Sequence, residues 1–270
     1  MGSEDLAVNI YAEACESIQA LGFDLSAEEL ATLAQTHDLG KSEIGAIDTI
    51  FRALSDKRRQ TTIDTMLRLS RLPQKSPKTF DNFDFTRIQG RDAAILQNLP
   101  ALANLHARKN LAFIGPCGIG KTHLAQAYGR ACCLEGYKSY YIKATELKDK
   151  LEKSIKAGNS AKVVNGLVRP SCLIIDEIGR CVFDKDCTDL FFDVIDRRYE
   201  KDVPNTLVIT SNTPVNNWDE FFTGDDSLLC TLDRIFDKAT VYMMKGASFR
   251  GASLETLSVE AVVAAPKLNR

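Results

Sequence analysis

Over the first seventy residues the apolar positions recur at helical spacing. Leu6, Ile10, Ala14 and Ile18 fall on one stripe, and Ile47, Ile50, Phe51 and Leu54, then Ile63, Met66 and Leu67, repeat the i, i+3, i+4, i+7 form of an amphipathic helix. Between them Ser26, with Glu29 three residues on, has the spacing of a capping box and predicts a helix through about His37. Pro73 and Pro77, which lack an amide hydrogen, stop the second helical stretch. The segment PQKSPKTFDNFDF (73–85) has neither period and predicts an extended linker, anchored to the next domain by Phe80, Phe83 and Phe85. From about residue 88 the pattern changes. A helix is expected at 91–107, and the apolar runs NLAFIG (110–115), KSYYIKA (138–144), SCLIID (171–176), TLVITS (206–211) and TVYMM (240–244) read as strands. Helices are expected after three of them, at 121–135, over ATELKDKLEKSIKAG and at 186–200. Strands alternating with helices imply an α/β fold with a parallel sheet flanked by helices. The expected organisation is a small all-helical N-terminal domain at 1–72, a linker at 73–87 and an α/β domain at 88–270, with no internal repeat.

Composition narrows this picture. A chain of 270 residues with 44% hydrophobic and 26% charged residues has the balance of an ordinary globular protein, which excludes wholesale disorder and collagen-like repeats. No run approaches the roughly 18 apolar residues of a membrane helix, so no membrane partner is expected. Residues 1–40 contain no Lys or Arg that could form the basic start of a secretory signal. The eight cysteines include no CxxC pair, so zinc-site spacing is missing, and reduced thiols in a cytoplasmic protein are expected. Charge is uneven. Residues 1–40 carry eight acids and no bases, whereas between 57 and 78 seven Lys and Arg face only Asp64. Such a block is either a solvated helix face or a surface for a phosphate backbone, with Lys57, Arg58, Arg59, Arg68 and Arg71 as its candidates.

The chemistry sits at the strand ends. Gly115, Pro116, Cys117, Gly118, Ile119, Gly120, Lys121 and Thr122 form a complete P-loop between a strand and a helix. Its glycines let backbone N–H groups turn around phosphate oxygens, Lys121 supplies a cation for the β- and γ-phosphates, and Thr122 supplies a hydroxyl for Mg²⁺. The helix that begins there adds the positive end of its dipole. Asp176 and Glu177 end the buried run LIID. That is the Walker B arrangement, in which Asp176 holds Mg²⁺ and Glu177 orients the attacking water. Asn212 ends the next strand, where a polar side chain would face the γ-phosphate, although Ser-Asn also suits a turn. Arg234 and Arg250 are candidate charge donors to that phosphate.

The segments GPCGIGKTHLA, LIIDEIG, DRRYE, ITSNTPVNNWDEFF, LDRIFD and KGASFR, in this order, resemble the IstB/DnaC-like group of AAA+ ATPases, and more closely its IstB-like branch. The likeness covers about 80–250, and the basic helix 43–72 resembles that family's N-terminal region. The resemblance implies a P-loop AAA+ domain with a minimal C-terminal lid. Its implied activity is that of an oligomeric ATPase using ATP and Mg²⁺, which binds double-stranded DNA and assists a transposase. By motif position the loop, with His123 after it, would hold the nucleotide. Asn212 would be the first sensor, Arg234 the finger that reaches a neighbouring subunit's ATP, and Arg250 a second sensor. The acidic segment 1–40 departs from the more basic start expected of that family. A DnaC-like loader, whose partner would be a replicative helicase, is the alternative, and a neighbouring transposase gene would separate the two. A small-molecule kinase fits less well, because Asp176-Glu177 with Asn212 suits water activation, and a GTPase lacks its NKxD motif. A regulatory module that holds ATP without hydrolysing it would be separated by ATPase assays with and without duplex DNA.

Overall fold

The computed structural model describes residues 4–90, 92–223, 227–237, 239–246 and 248. Its N-terminal helices are α1 (Glu4–Gln19), α2 (Ala27–Thr36) and α3 (Lys41–Leu69). The capping box forms as its spacing predicts: Glu29 N donates to Ser26 Oγ at 3.2 Å, and Ser26 N donates to Glu29 Oε2 at 2.8 Å. Ala14, Cys15, Ile18, Leu30, Ala34 and Ile44 close a small core between these helices. The two apolar stretches at 47–54 and 63–67 belong to one helix of 29 residues, about 43 Å long at 1.5 Å per residue. Its last turns leave that core and pack Ile63, Met66 and Leu67 onto Cys133 of the next unit.

Among the described residues the second unit has five strands: β1 (Leu111–Ile114), β2 (Ser139–Lys143), β3 (Cys172–Ile178), β4 (Thr206–Ser211) and β5 (Thr240–Met243). Their order is β2-β3-β4-β1-β5 and every pairing is parallel. The apolar runs are continuous, not alternating, because both faces are covered. Ala112, Ile114, Leu173, Ile175, Leu207 and Ile209 face one core, while Leu111, Phe113, Cys172, Ile174 and Val208 face the other. Helices α7 (Ala144–Lys156), α8 (Ser160–Val168), α9 (Lys185–Tyr199) and α10 (Ser227–Phe236) cover the first, and α6 (Lys121–Leu134) covers the second. The sheet edge at β2 meets the end of α3: Tyr141 N donates to Ser70 O at 2.8 Å, and Arg71 pairs with Glu146 at 2.7 Å. Arg198, in the DRRYE segment, is 3% exposed and donates to the carbonyls of Leu167, Val168, Pro170, Ser171 and Thr206. It therefore stitches the end of α8 to the starts of β3 and β4.

One segment differs from expectation. The helix expected over 91–107 is broken into α4 (Ala93–Leu96), a 3₁₀ turn (Leu99–Ala101) and α5 (Ala103–His106). Pro100 cannot donate within a helix, and Leu102 turns left-handed at φ 53°. The linker is anchored on the second unit as expected. Phe83 is 6% exposed within the α6-side core, with Phe80 and Phe85 packed against it, as the aromatic spacing predicts.

Candidate functional site

The parallel strands bring their carboxyl ends to one rim. β1 runs into the loop 115–120, which is tied to β4 by Gly115 N donating to Ser211 O at 3.1 Å. Gly115 and Gly120 have φ of 153° and 91°. A Cβ on Gly115 would collide with the carbonyl of Met244, and one on Gly120 would lie 2.6 Å from the Phe83 ring, so neither position has room for a side chain. Ile119 is buried at 3% and anchors the loop, whereas Pro116 and Cys117 are exposed. Lys121 begins α6 and is 7% exposed; its Nζ donates to the carbonyls of Gly115 and Pro116, both at 2.7 Å. The loop, the Lys121 ammonium and the amides of a helix start form a ready anion cradle.

Asp176 lies beside this cradle at 1% exposure. Thr122 Oγ1 (2.9 Å) and Thr210 Oγ1 (2.5 Å) donate to its Oδ1, and the Tyr141 hydroxyl (2.6 Å) donates to its Oδ2. Burial, with the Asp176 carboxylate beside it, raises the Tyr141 pKa, so the phenol stays a donor. Thr122 and Asp176 thus place a hydroxyl and a carboxylate side by side, the hard-oxygen pair that suits Mg²⁺. Glu177 follows at φ 62° inside a bulge, where the register advances from Ile175↔Ile209 to Ile178↔Ser211. A left-handed glutamate is uncommon, and bulges redirect side chains next to active sites. Its amide donates to Thr210 Oγ1 at 2.9 Å, and its carboxylate meets Arg180 at 3.2 Å.

A cavity of about 380 Å³ joins these groups. Lys121, Thr122, His123, Glu177, Thr210 and Asn212 line it, as do Lys78, Asn82, Phe83 and Asp84 of the linker. His123 Nε2 is 2.9 Å from Thr79 O, and its ring meets Phe83 edge-on at 5.1 Å. The structure therefore brings together the expected loop residues, His123, Asp176, Glu177 and Asn212. It does not bring Arg234 to them within one chain. Arg234 lies near the amino ends of the strands, lining a second cavity with Asn110 and Asn205, and pairs with Asp196 at 2.5 Å. Arg250 lies outside the described residues. Of the basic candidates, Arg58 donates to Leu21 O and Arg71 is engaged by Glu146, whereas Lys57, Arg59 and Arg68 are exposed and make no ion pair among the described residues. Sequence reasoning missed Tyr141, Thr210, Arg180 and the linker's place at the cavity. Tyr141 pairs with Ile174, two residues before Asp176 on the same sheet face, a relation that only strand register reveals.

A family model described as IstB-like ATP binding protein matches residues 17–255. The insertion sequence IS5376 ATP-binding protein of Geobacillus stearothermophilus is 35% identical over 226 residues, covering 82% of this chain and 85% of that protein. The insertion sequence IS21 ATP-binding protein of Pseudomonas aeruginosa is 32% identical over 214 residues, 78% of each chain. Among solved structures, the DnaC helicase loader matches at a TM-score of 0.52 and 19% identity, covering 62% of this chain and 97% of that one. AMPPCP-bound DnaA from Aquifex aeolicus matches at 0.51 and 22%, covering 65% of this chain and 51% of that one. These likenesses identify the fold as that of an AAA+ P-loop domain, with the N-terminal helices added to it. Among the described residues no helix is long and apolar enough to cross a membrane.

Proposed function

The chain belongs to the IstB-like ATP binding proteins, and from that premise we propose that it is an Mg²⁺-dependent ATPase that assembles on double-stranded DNA and assists a transposase. The observation that supports hydrolysis is the convergence of Lys121, Thr122, Glu177 and Asn212 on one cavity, with Asp176 hydrogen-bonded to Thr122 beside it. Lys121 and the loop amides bind and orient the phosphates of ATP. Thr122 and Asp176 would hold Mg²⁺, which supplies neutralisation of the charge that develops on the transferred phosphoryl group. The Glu177 carboxylate accepts a hydrogen bond from the attacking water and orients it. Thr210 holds the Glu177 turn and Asp176 through one hydroxyl, so the two carboxylates keep a fixed relation. Asn212, which lines the cavity, donates to the γ-phosphate or the water in this reading. Arg234 acts in trans, because its own P-loop lies at the opposite end of the strands.

The DNA half of the proposal draws on the exposed Lys57, Arg59 and Arg68 of α3, repeated in each subunit of a homo-oligomer. The names of the insertion-sequence relatives favour a transposase partner over a replicative helicase. Residues 1–72 and 88–270 serve as DNA-binding and ATPase units, and the linker between them carries the nucleotide state because it lines the cavity. Hydrolysis measured with and without duplex DNA is the test. Mg²⁺-dependent turnover that rises with DNA is expected, and nucleotide binding without turnover overturns the reading in favour of a regulatory module.

A further inference from the structure

Both charged groups that the proposed reaction needs at liberty are held inside the single chain. The Glu177 carboxylate pairs with Arg180 at 3.2 Å, and the Arg234 guanidinium pairs with Asp196 at 2.5 Å. The two pairs lie at opposite ends of the strands. Glu177 and Arg180 sit at the carboxyl end of β3, on the rim of the nucleotide cavity. From that end α9 runs back, and Asp196 lies in its last turn, at the end where Asn110 and Asn205 precede β1 and β4. A chain with complementary charges at opposite ends can join the end of one copy to the start of the next. So joined, it repeats head to tail, closing a ring or extending a filament.

When Arg234 enters a neighbour's cavity, as the trans reading requires, Asp196 travels with it, since the two side chains touch. A carboxylate carried into an interface without a counter-charge is strongly unfavourable. Lys78 and Arg180 both stand on that rim, and Arg180 is the one that holds the carboxylate to be freed, Glu177. We propose that two copies of this chain join head to tail by exchanging ion-pair partners: Asp196 of one subunit leaves Arg234 and takes Arg180 of the next, freeing Glu177 there. The exchange conserves charge. Each subunit begins with two internal pairs and ends with one bridge between chains, an Arg234 facing the γ-phosphate and a Glu177 facing the water. It is also accessible energetically. The four side chains are 30% (Glu177), 58% (Arg180), 43% (Arg234) and 39% (Asp196) exposed, and ion pairs so open to water are weak enough to trade. Arg180 and Asp196 are thus positioning residues. They couple assembly to hydrolysis by keeping the water-orienting carboxylate and the finger from their tasks until a neighbour docks.

The proposal rests on the trans placement of Arg234, and a charge-reversal experiment separates the two. The total rate of hydrolysis is measured against protein concentration with ATP and Mg²⁺, and assembly by sedimentation velocity, for the parental protein, R180E, D196R and the double variant. The parental rate should rise more steeply than linearly with concentration. Each single reversal sets like charges against each other across the interface and should lower hydrolysis at least roughly tenfold at a concentration where the parent is assembled. The double variant re-forms the bridge in the opposite sense and should regain most of the assembly. A mixture of the two single variants should likewise recover activity at the interfaces where the introduced charges meet. If a reversed variant does not fold, Arg180→Ala and Asp196→Ala serve instead, and their effects on assembly should be non-additive. Single variants that assemble like the parent overturn the exchange, as does a double variant no better than either single. A linear rate in the parental protein overturns the trans reading itself and the exchange with it.

Discussion

Asp176 accepts hydrogen bonds from the hydroxyls of Thr122, Tyr141 and Thr210, and that crowding determines what each residue change should do. Tyr141→Phe removes one donor and leaves the ring's packing in place. The carboxylate loses the bond that fixes Oδ2, so half-saturation by Mg²⁺ should rise about fivefold, the equivalent of roughly 1 kcal/mol for one hydrogen bond, in a titration of ATP hydrolysis. An unchanged Mg²⁺ requirement would show the phenol to be packing alone. Lys121→Ala should lower nucleotide affinity, read by binding of a fluorescent ATP analogue, since a cation is lost from the phosphate cradle. Glu177→Gln should keep that affinity but slow hydrolysis by a factor of about 10² or more, because Asp176 and Thr122 are spared. Loss of binding in Glu177→Gln would move Glu177 from the water to the nucleotide. Lys121, Thr122, Asp176 and Glu177 are legible in the sequence because loop and strand end are contiguous stretches whose spacing follows from backbone geometry. Tyr141 and Thr210 are not, because each lies one strand away and meets Asp176 only through the parallel register.

At the scale of elements, the strands are legible because a doubly covered parallel strand is a short, fully apolar run. The helices are less evenly so. The interval between Leu54 and Ile63 in α3 is polar on all sides, so apolar periodicity falls silent where the helix crosses from one core to the other. The linker has no period, and its docking partner on α6 lies 44 residues away along the chain, where Thr79 meets His123, so that contact cannot be inferred from 73–85 alone. The contact has a pH signature. Burial lowers the His123 pKa below its ordinary 6.5, with Lys78 adding to the effect and the hydrogen bond to Thr79 opposing it. The folded chain therefore binds fewer protons at His123 than the unfolded chain does, and stability rises with pH up to about 6.5. Acidification through that value should lower the thermal midpoint, and His123→Asn should flatten the dependence over the same interval. A midpoint equally steep in the variant would assign the acid sensitivity to carboxylates elsewhere.

For the whole molecule, the question is how a chain of net charge −2 could hold DNA. The proposed answer lies in distribution, with the acids of 1–40 set apart from the bases of 57–78, and in repetition along the proposed oligomer. Within the basic block the structure draws a distinction that composition hides. Arg58 reaches back to Leu21 O and Arg71 clamps the end of α3 to Glu146 of α7, so both already serve the fold. Lys57, Arg59 and Arg68 are exposed on α3, with Lys57 and Arg68 three turns apart on one face. Replacing these three with Ala should weaken duplex binding for every sequence alike, since phosphate contacts position a protein without reading bases. Each lost contact should also flatten the log–log salt dependence by about 0.9, multiplied by the number of subunits on the DNA. Arg71→Ala should act differently. It should lower the thermal midpoint by loosening α3 from β2 and α7 while leaving the salt slope near parental. Binding titrations at two salt concentrations, run with ATP so that the subunits are aligned, distinguish these effects. A parental slope in the triple variant would mean that these bases only solvate α3, and the DNA surface would then have to be sought on the α/β domain.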